Sequence, residues 1–113
     1  MPGKYELKEP SNGEFLFNLR AGNGEIILTS ERYTTKQAAL SGMESVRKNS
    51  DTNSQYDRRT AKDDSRYFVL KAKNGEIIGR SEMYTTGAAM ENGIESCMNN
   101  GPAGQVNVAE AAA

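Results

Sequence analysis

Sliding the sequence past itself by 51 residues aligns 5–49 with 56–100 without a gap, and nineteen of the paired positions are identical. A duplication of that extent constrains the fold more than any composition value, because both halves must build the same unit. The identities run from Tyr5/Tyr56 through Phe17/Phe68, Leu19/Leu70 and Ala21/Ala72 to Asn23-Gly24-Glu25-Ile26-Ile27 against Asn74-Gly75-Glu76-Ile77-Ile78. Ser30-Glu31-x-Tyr33-Thr34-Thr35 then matches Ser81-Glu82-x-Tyr84-Thr85-Thr86, and Ala38/Ala89, Gly42/Gly93, Glu44-Ser45/Glu95-Ser96 and Asn49/Asn100 follow. Two copies are fewer than an open solenoid needs, so the units are expected to close on each other about a pseudo-twofold axis, neither being stable alone. The chain is then one domain over 1–113: repeat one at 5–50, repeat two at 56–101, and 102–113 a short edge strand with a frayed tail.

Within repeat one, Tyr5 and Leu7 alternate with polar neighbours, and Ser11-Asn12-Gly13 supplies a turn before Phe15, Phe17, Leu19 and Ala21 alternate in period two. In repeat two Asp63-Asp64 stands in that turn, where Asp is a standard turn residue rather than half of a carboxylate pair. Asn23-Gly24 and Asn74-Gly75 predict a second hairpin with a two-residue loop of type I′. That register puts Phe17, Leu19, Ala21, Ile26 and Leu28 inward, with Phe68, Leu70, Ala72, Ile77 and Gly79 in the second copy. Asn18, Arg20, Ile27 and Thr29 then point outward, as do Val69, Lys71, Ile78 and Arg80. From Thr34 the period changes: Ala39, Gly42, Met43 and Val46 recur at helical spacing, matched by Met90, Gly93, Ile94 and Cys97. Thr34 or Thr35 is the expected N-cap, Thr34 with Gln37 fitting a capping box that Ala88 removes from the second copy. Each repeat is β-β-β-α.

This duplicated pattern resembles the YegP-like family of small bacterial tandem-repeat proteins of unknown function. The residues that carry the resemblance are Asn23 to Ile27, Ser30 to Thr35 and Ser41 to Val46, with Asn74 to Ile78, Ser81 to Thr86 and Asn92 to Cys97. The resemblance implies an α+β fold of two β-β-β-α(-β) repeats. They would form one shared antiparallel sheet with two helices packed on one face, exchange terminal strands, and use 106–108 as the last strand. It supplies no catalytic residues.

At 113 residues, one modest core is feasible and two are not. The chain has no histidine, which removes Ser-His, Cys-His and His-metal constellations. The single Cys97 cannot form an internal disulfide, the start MPGKYEL lacks an apolar secretory region, and no apolar run reaches membrane-helix length. A cytoplasmic, non-enzymatic protein without cofactor, metal or membrane is the expectation.

The repeated Ser-Glu-x-Tyr-Thr-Thr block offers hydroxyls around Glu31 and Glu82 for a small polar ligand. The simpler reading is structural: Ser, Glu and Thr satisfy the amides at the start of each helix while Tyr33 and Tyr84 anchor the joint. Gly42 and Gly93 fall mid-helix, where each costs about 1 kcal/mol relative to Ala, so a close approach of the helix is expected there. With Asn23, Gly24, Asn74 and Gly75 these form the structural motif of the repeat. Cys97 aligns with Val46 on the apolar stripe and reads as a buried hydrophobe. The candidate binding surface is the outer sheet face, gathering Arg20, Ile27, Tyr67, Lys71, Ile78 and Arg80 beside Leu16. Cations interleaved with apolar groups suit a protein partner through Ile27 and Ile78, or single-stranded nucleic acid. A net charge of −1 puts the protein partner first and nucleic acid second. The second repeat can occupy the place of a partner subunit, which predicts a monomer.

Overall fold

Alternation and turn chemistry build the same meander twice in the computed structural model, which describes residues 3–9, 13–102 and 104–107. Repeat one consists of β1 (Lys4–Lys8), β2 (Leu16–Arg20), β3 (Ile26–Ser30) and α1 (Lys36–Asn49). A 3-10 turn at Asn53–Gln55 leads into β4 (Tyr56–Thr60), β5 (Arg66–Lys71), β6 (Ile77–Arg80) and α2 (Gly87–Asn100), and β7 (Gln105–Asn107) ends the described chain. The sheet order is β4-β5-β6-β3-β2-β1-β7. Its first six strands are antiparallel, as expected of a shared sheet, while β7 adds parallel to β1 with Tyr5 opposite Val106.

The centre of the sheet is the antiparallel pair β3 and β6, where Thr29 faces Arg80. Those two residues are equivalent in the duplication, so the pseudo-twofold axis passes between them. On the helix side of this axis two bulky copies of one residue cannot both fit. Leu28 is buried there, and a Cβ added to its equivalent Gly79 would lie 2.7 Å from Leu28 Cδ2. The helix ends repeat the solution: a Cβ on Gly101 would lie 2.6 Å from Cβ of its equivalent, Ser50.

Each repeat is tied to the other. The Tyr5 hydroxyl donates to Gly101 O at 2.7 Å, and its copy Tyr56 donates to Ser50 O at 2.6 Å, so the first strand of each repeat anchors the helix end of the other. The exchange of strands themselves occurs at one end only among the described residues. β7 follows α2 and pairs with β1, whereas the chain after α1 runs directly into β4. The expected turn at Ser11-Asn12 and the tail from Val108 onward lie outside the described residues.

The second hairpin departs from the type I′ reading. Gly24 N–H reaches Ala21 O at 2.9 Å, Ala21 N–H reaches Glu25 O at 2.8 Å, and only Gly24 of the loop has positive φ (91°). The loop is therefore three residues long, with glycine in the left-handed position that a longer hairpin loop needs. Arg20 consequently faces Ile26, and a bulge then inserts Ile27 before Leu19 meets Leu28. The extra loop residue and the extra strand residue cancel, so Leu19/Leu28 pair as expected while Ile26 and Ile27 exchange faces. Repeat two copies the device, with Lys71 opposite Ile77 and Leu70 opposite Gly79.

One core lies between the sheet and the two helices. Tyr5 meets Phe17 edge-on at 6.0 Å and Phe17 stacks with Tyr33 at 6.3 Å; Tyr56, Phe68 and Tyr84 repeat the ladder at 5.4 and 6.4 Å. Tyr33 and Tyr84 reach onward to the helices. A Cβ on Gly42 or Gly93 would lie 2.7 Å from Cζ of Tyr33 or Tyr84 respectively, which is why both copies keep glycine in mid-helix despite its cost. The second threonine of each block is the N-cap: Thr35 Oγ1 accepts from Ala38 N and Thr86 Oγ1 from Ala89 N. The Thr34–Gln37 box is not used, because Thr35 lies closer to the first helical turn.

Candidate binding face

Strand alternation sends every second residue away from the helices, and no element covers that side among the described residues. Across the sheet the central row reads Asp57, Val69, Arg80, Thr29, Asn18, Glu6 from β4 to β1. The rows beside it add Lys4, Lys8, Leu16, Arg20 and Ile26 on one wing and Arg59, Tyr67, Lys71 and Ile77 on the other. The face therefore carries six cations, Lys4, Lys8, Arg20, Arg59, Lys71 and Arg80, against two carboxylates, Glu6 and Asp57. That is +4 on one face of a chain whose total is −1, leaving −5 for everything else.

Both carboxylates are bracketed by cations, and the brackets are copies. Glu6 lies 3.1 Å from Arg20 and 3.5 Å from Lys8; Asp57 lies 3.0 Å from Arg59 and 3.6 Å from Lys71. Burial opposes the charged form of Glu6, but the Arg20 hydrogen bond and the charges of Arg20 and Lys8 outweigh it and hold the carboxyl below its usual range. For Asp57 the Arg59 hydrogen bond is the main cause of a lowering in the same direction. Both groups therefore stay ionised well below neutral pH, and each wing keeps a surplus positive charge.

The two halves differ at the axis. Asn18 and Thr29 close on each other with a 2.8 Å hydrogen bond. Their copies are Val69, fully buried, and Arg80, whose guanidinium carbon sits 5.9 Å over the Tyr67 ring. Beside Arg80, a shallow depression of about 580 Å³ is lined by Thr29, Ser30, Glu31 and Arg32 and by Ser81 and Glu82.

Of the expected surface residues, Arg20, Tyr67, Lys71 and Arg80 stand on this face. Ile27 and Ile78 do not: they are 5% and 6% exposed and belong to the core, because the bulge turns them inward and sends Ile26 and Ile77 out instead. The positive face escaped a reading by halves, since charges counted along the chain cancel. Counting alternate residues of β1 and β4 onto the same side would have found it.

The Ser, Tyr and second Thr of each Ser-Glu-x-Tyr-Thr-Thr block are engaged with backbone groups. Ser30 Oγ accepts from Phe17 N at 2.9 Å and donates to Glu31 O at 2.7 Å, and Ser81 repeats both bonds with Phe68 N and Glu82 O. Tyr33 exchanges two 2.7 Å backbone bonds with Phe15, and Tyr84 does so with Arg66. The serine closes a strand ladder rather than a helix, and Glu31 and Glu82 are exposed and cap no helix.

Cys97 is fully buried with Sγ 3.6 Å from Ile27 O, and burial pushes its thiol up to about 12. It is expected to resist iodoacetamide at pH 8 until denaturant unfolds the protein, as mass spectrometry would show; modification of the native protein at the unfolded rate would contradict its burial. Among the described residues no three His, Cys, Asp or Glu side chains cluster to hold a metal, and no helix is long and apolar enough to cross a membrane.

A family model described as a domain of unknown function, DUF1508, matches the chain twice, at 11–57 and 61–107. The UPF0339 protein of Shewanella oneidensis is 54% identical over 101 residues, covering 89% of this chain and 92% of its own length. YegP of Yersinia pestis, also a UPF0339 protein, is 50% identical over 99 residues, 88% of each chain. The solution NMR structure of E. coli YegP, a protein of unknown function, superposes with a TM-score of 0.89 at 48% identity, covering 95% of this chain and 92% of that one. The corresponding Shewanella oneidensis structure gives 0.88 at 51% identity, covering 95% and 91%.

Proposed function

We propose, for a chain that belongs to the DUF1508 family of uncharacterised bacterial proteins, a non-enzymatic role as a binding module whose helix-free sheet face holds single-stranded nucleic acid. One observation carries this reading: the uncovered face is +4 in a chain of −1. Ile27 and Ile78 lie in the core, and Ile26 and Ile77, which stand on the face in their place, are half-buried between the cations. The cations stand on five of six adjacent strands, spanning roughly 25 Å at the usual strand spacing, which suits a run of phosphates better than a point contact. The Tyr67 ring and the Arg80 plane above it supply a stacking surface beside the axis. The non-enzymatic reading is supported by the pairing of both carboxylates of the face, Glu6 and Asp57, with cations. The setting that fits the unpaired Cys97 is the cytoplasm, and the internal duplication suits a monomer.

Fluorescence anisotropy with labelled 12-nucleotide oligo-U and oligo-dT tests this. Binding is expected at 50 mM salt, with log affinity falling against log salt at a slope of about −2 to −3 if three or four phosphates are neutralised. Arg80→Glu is expected to weaken binding about tenfold or more without altering the melting temperature. No binding at 50 mM salt, or equal binding by Arg80→Glu, overturns the proposal, as does preference for an acidic peptide over either oligonucleotide.

A further inference from the structure

The duplication provides an internal control for every corner of the molecule, and one corner fails to match its copy. In repeat one, Leu7 belongs to the core, and Phe15 and Leu40 are partly buried against that core. Their equivalents in repeat two are Arg58, Arg66 and Glu91. Here the structure opens a cavity of about 350 Å³ between the outer end of β4 and β5 and the first turns of α2, lined by Arg58, Arg59, Thr60, Arg66, Met90 and Glu91. An apolar corner has become a site with two guanidinium groups, of Arg58 and Arg66, and one carboxylate.

The three arginines of the lining are not equally engaged. Arg58 is clamped by Glu91, its Nη2 at 2.9 Å from Oε1 and its Nε on Oε2, and Nη2 also reaches Asn53 Oδ1 at 3.3 Å. That fixes the plane of the guanidinium and, among the described residues, leaves its Nη1 edge free. Arg59 is drawn toward Asp57 on the opposite face. Arg66 makes no side-chain hydrogen bond or ion pair among the described residues, although its backbone is locked to Tyr84 by two 2.7 Å bonds. Gly87, where repeat one has Lys36, leaves the floor open: a Cβ there would come within 3.2 Å of Arg66 Nη1.

We infer that this cavity is an anion site for a phosphate monoester, held by Arg66 and the free edge of Arg58, with Glu91 acting as a positioning residue through Arg58. A tetrahedral, doubly charged group matches two planar forks lining one cavity better than a single carboxylate does. The volume suits the phosphate and a small substituent. The phosphate can come from a small metabolite or from the end of a nucleic-acid strand, and the chemistry of capture is the same. The inference is independent of the sheet face, since Arg58 and Arg66 project on its helix side.

Amide NMR shifts of the intact chain test it, with inorganic phosphate titrated against a chloride series of equal ionic strength, then 5′-phosphorylated and unphosphorylated oligo-U. Saturable shifts are expected at Thr60, Arg66 and Gly87, with Phe15 and Lys36 in the equivalent corner unmoved. Arg66→Gln is expected to weaken phosphate binding at least fivefold with an unchanged melting temperature. A 5′-phosphate that adds these same shifts to those of oligo-U identifies the strand end as the source; shifts with inorganic phosphate alone point to a small ester. Absence of saturable shifts, equal response of the Phe15 corner, or an Arg66→Gln titration matching wild type overturns the inference.

Discussion

Leucine at position 79 is expected to destabilise the protein by about 2 kcal/mol or more, because the space beside the axis already belongs to Leu28. In a domain of this size that corresponds to a fall in melting temperature of roughly 10 °C. The informative comparison is the exchange of the pair. Leu28→Gly alone leaves a cavity and is expected to cost about 3 kcal/mol or more. Leu28→Gly with Gly79→Leu puts one leucine back beside the axis, from the other side, and should recover most of both losses. Such a result departs from additivity by more than 2 kcal/mol, as contacting residues do. A double variant as unstable as the sum of the singles would mean that the two positions do not share one volume.

Cutting the chain is expected to have the larger effect, complete loss of the fold in either piece. Residues 1–52 keep β1 to β3 and α1 but lose the partner of the Tyr5 hydroxyl at Gly101, the β6 neighbour of β3 and half of the single core. A piece of about 50 residues buries too small a fraction of its surface to offset chain entropy. Circular dichroism and amide shift dispersion of residues 1–52 and of 53–113 should each show unfolded chains. An equimolar mixture should regain the intact spectrum. A dispersed spectrum from monomeric 1–52 would show that the cross-repeat contacts are dispensable.

Much of this architecture was legible in the residues. The offset-51 identities fixed two units, the period-two run from Phe15 to Ala21 fixed the core face of β2, and the glycines at 42 and 93 pointed to a close approach that Tyr33 and Tyr84 make. What was not legible was compensated geometry. A two-residue loop and a three-residue loop both use Asn-Gly, differing in φ at Asn23, and the bulge at Ile27 restores the Leu19/Leu28 pairing that would otherwise have betrayed the longer loop. The error stayed confined to Ile26, Ile27 and their copies, and it exchanged the two isoleucines expected on the open face for their neighbours Ile26 and Ile77. The charge of the open face was hidden for another reason. Lys4, Glu6 and Lys8 join Arg59 and Lys71 only when β1 and β4 lie in one sheet, which is information about topology and not about any local stretch.

The pairs Leu28/Gly79 and Ser50/Gly101 also bear on ancestry. A gene that encodes one repeat and assembles it as a homodimer must place the same residue on both sides of the axis, so any improvement there is made twice or not at all. Fusion into one reading frame lifts that restriction, and each position can then be selected for what stands opposite it. Once a large residue has settled on one side and glycine on the other, neither repeat retains a surface that suits a copy of itself. The duplication thus acts as a ratchet: the lineage can refine the joined protein, but it has given up the way back to a single-repeat gene.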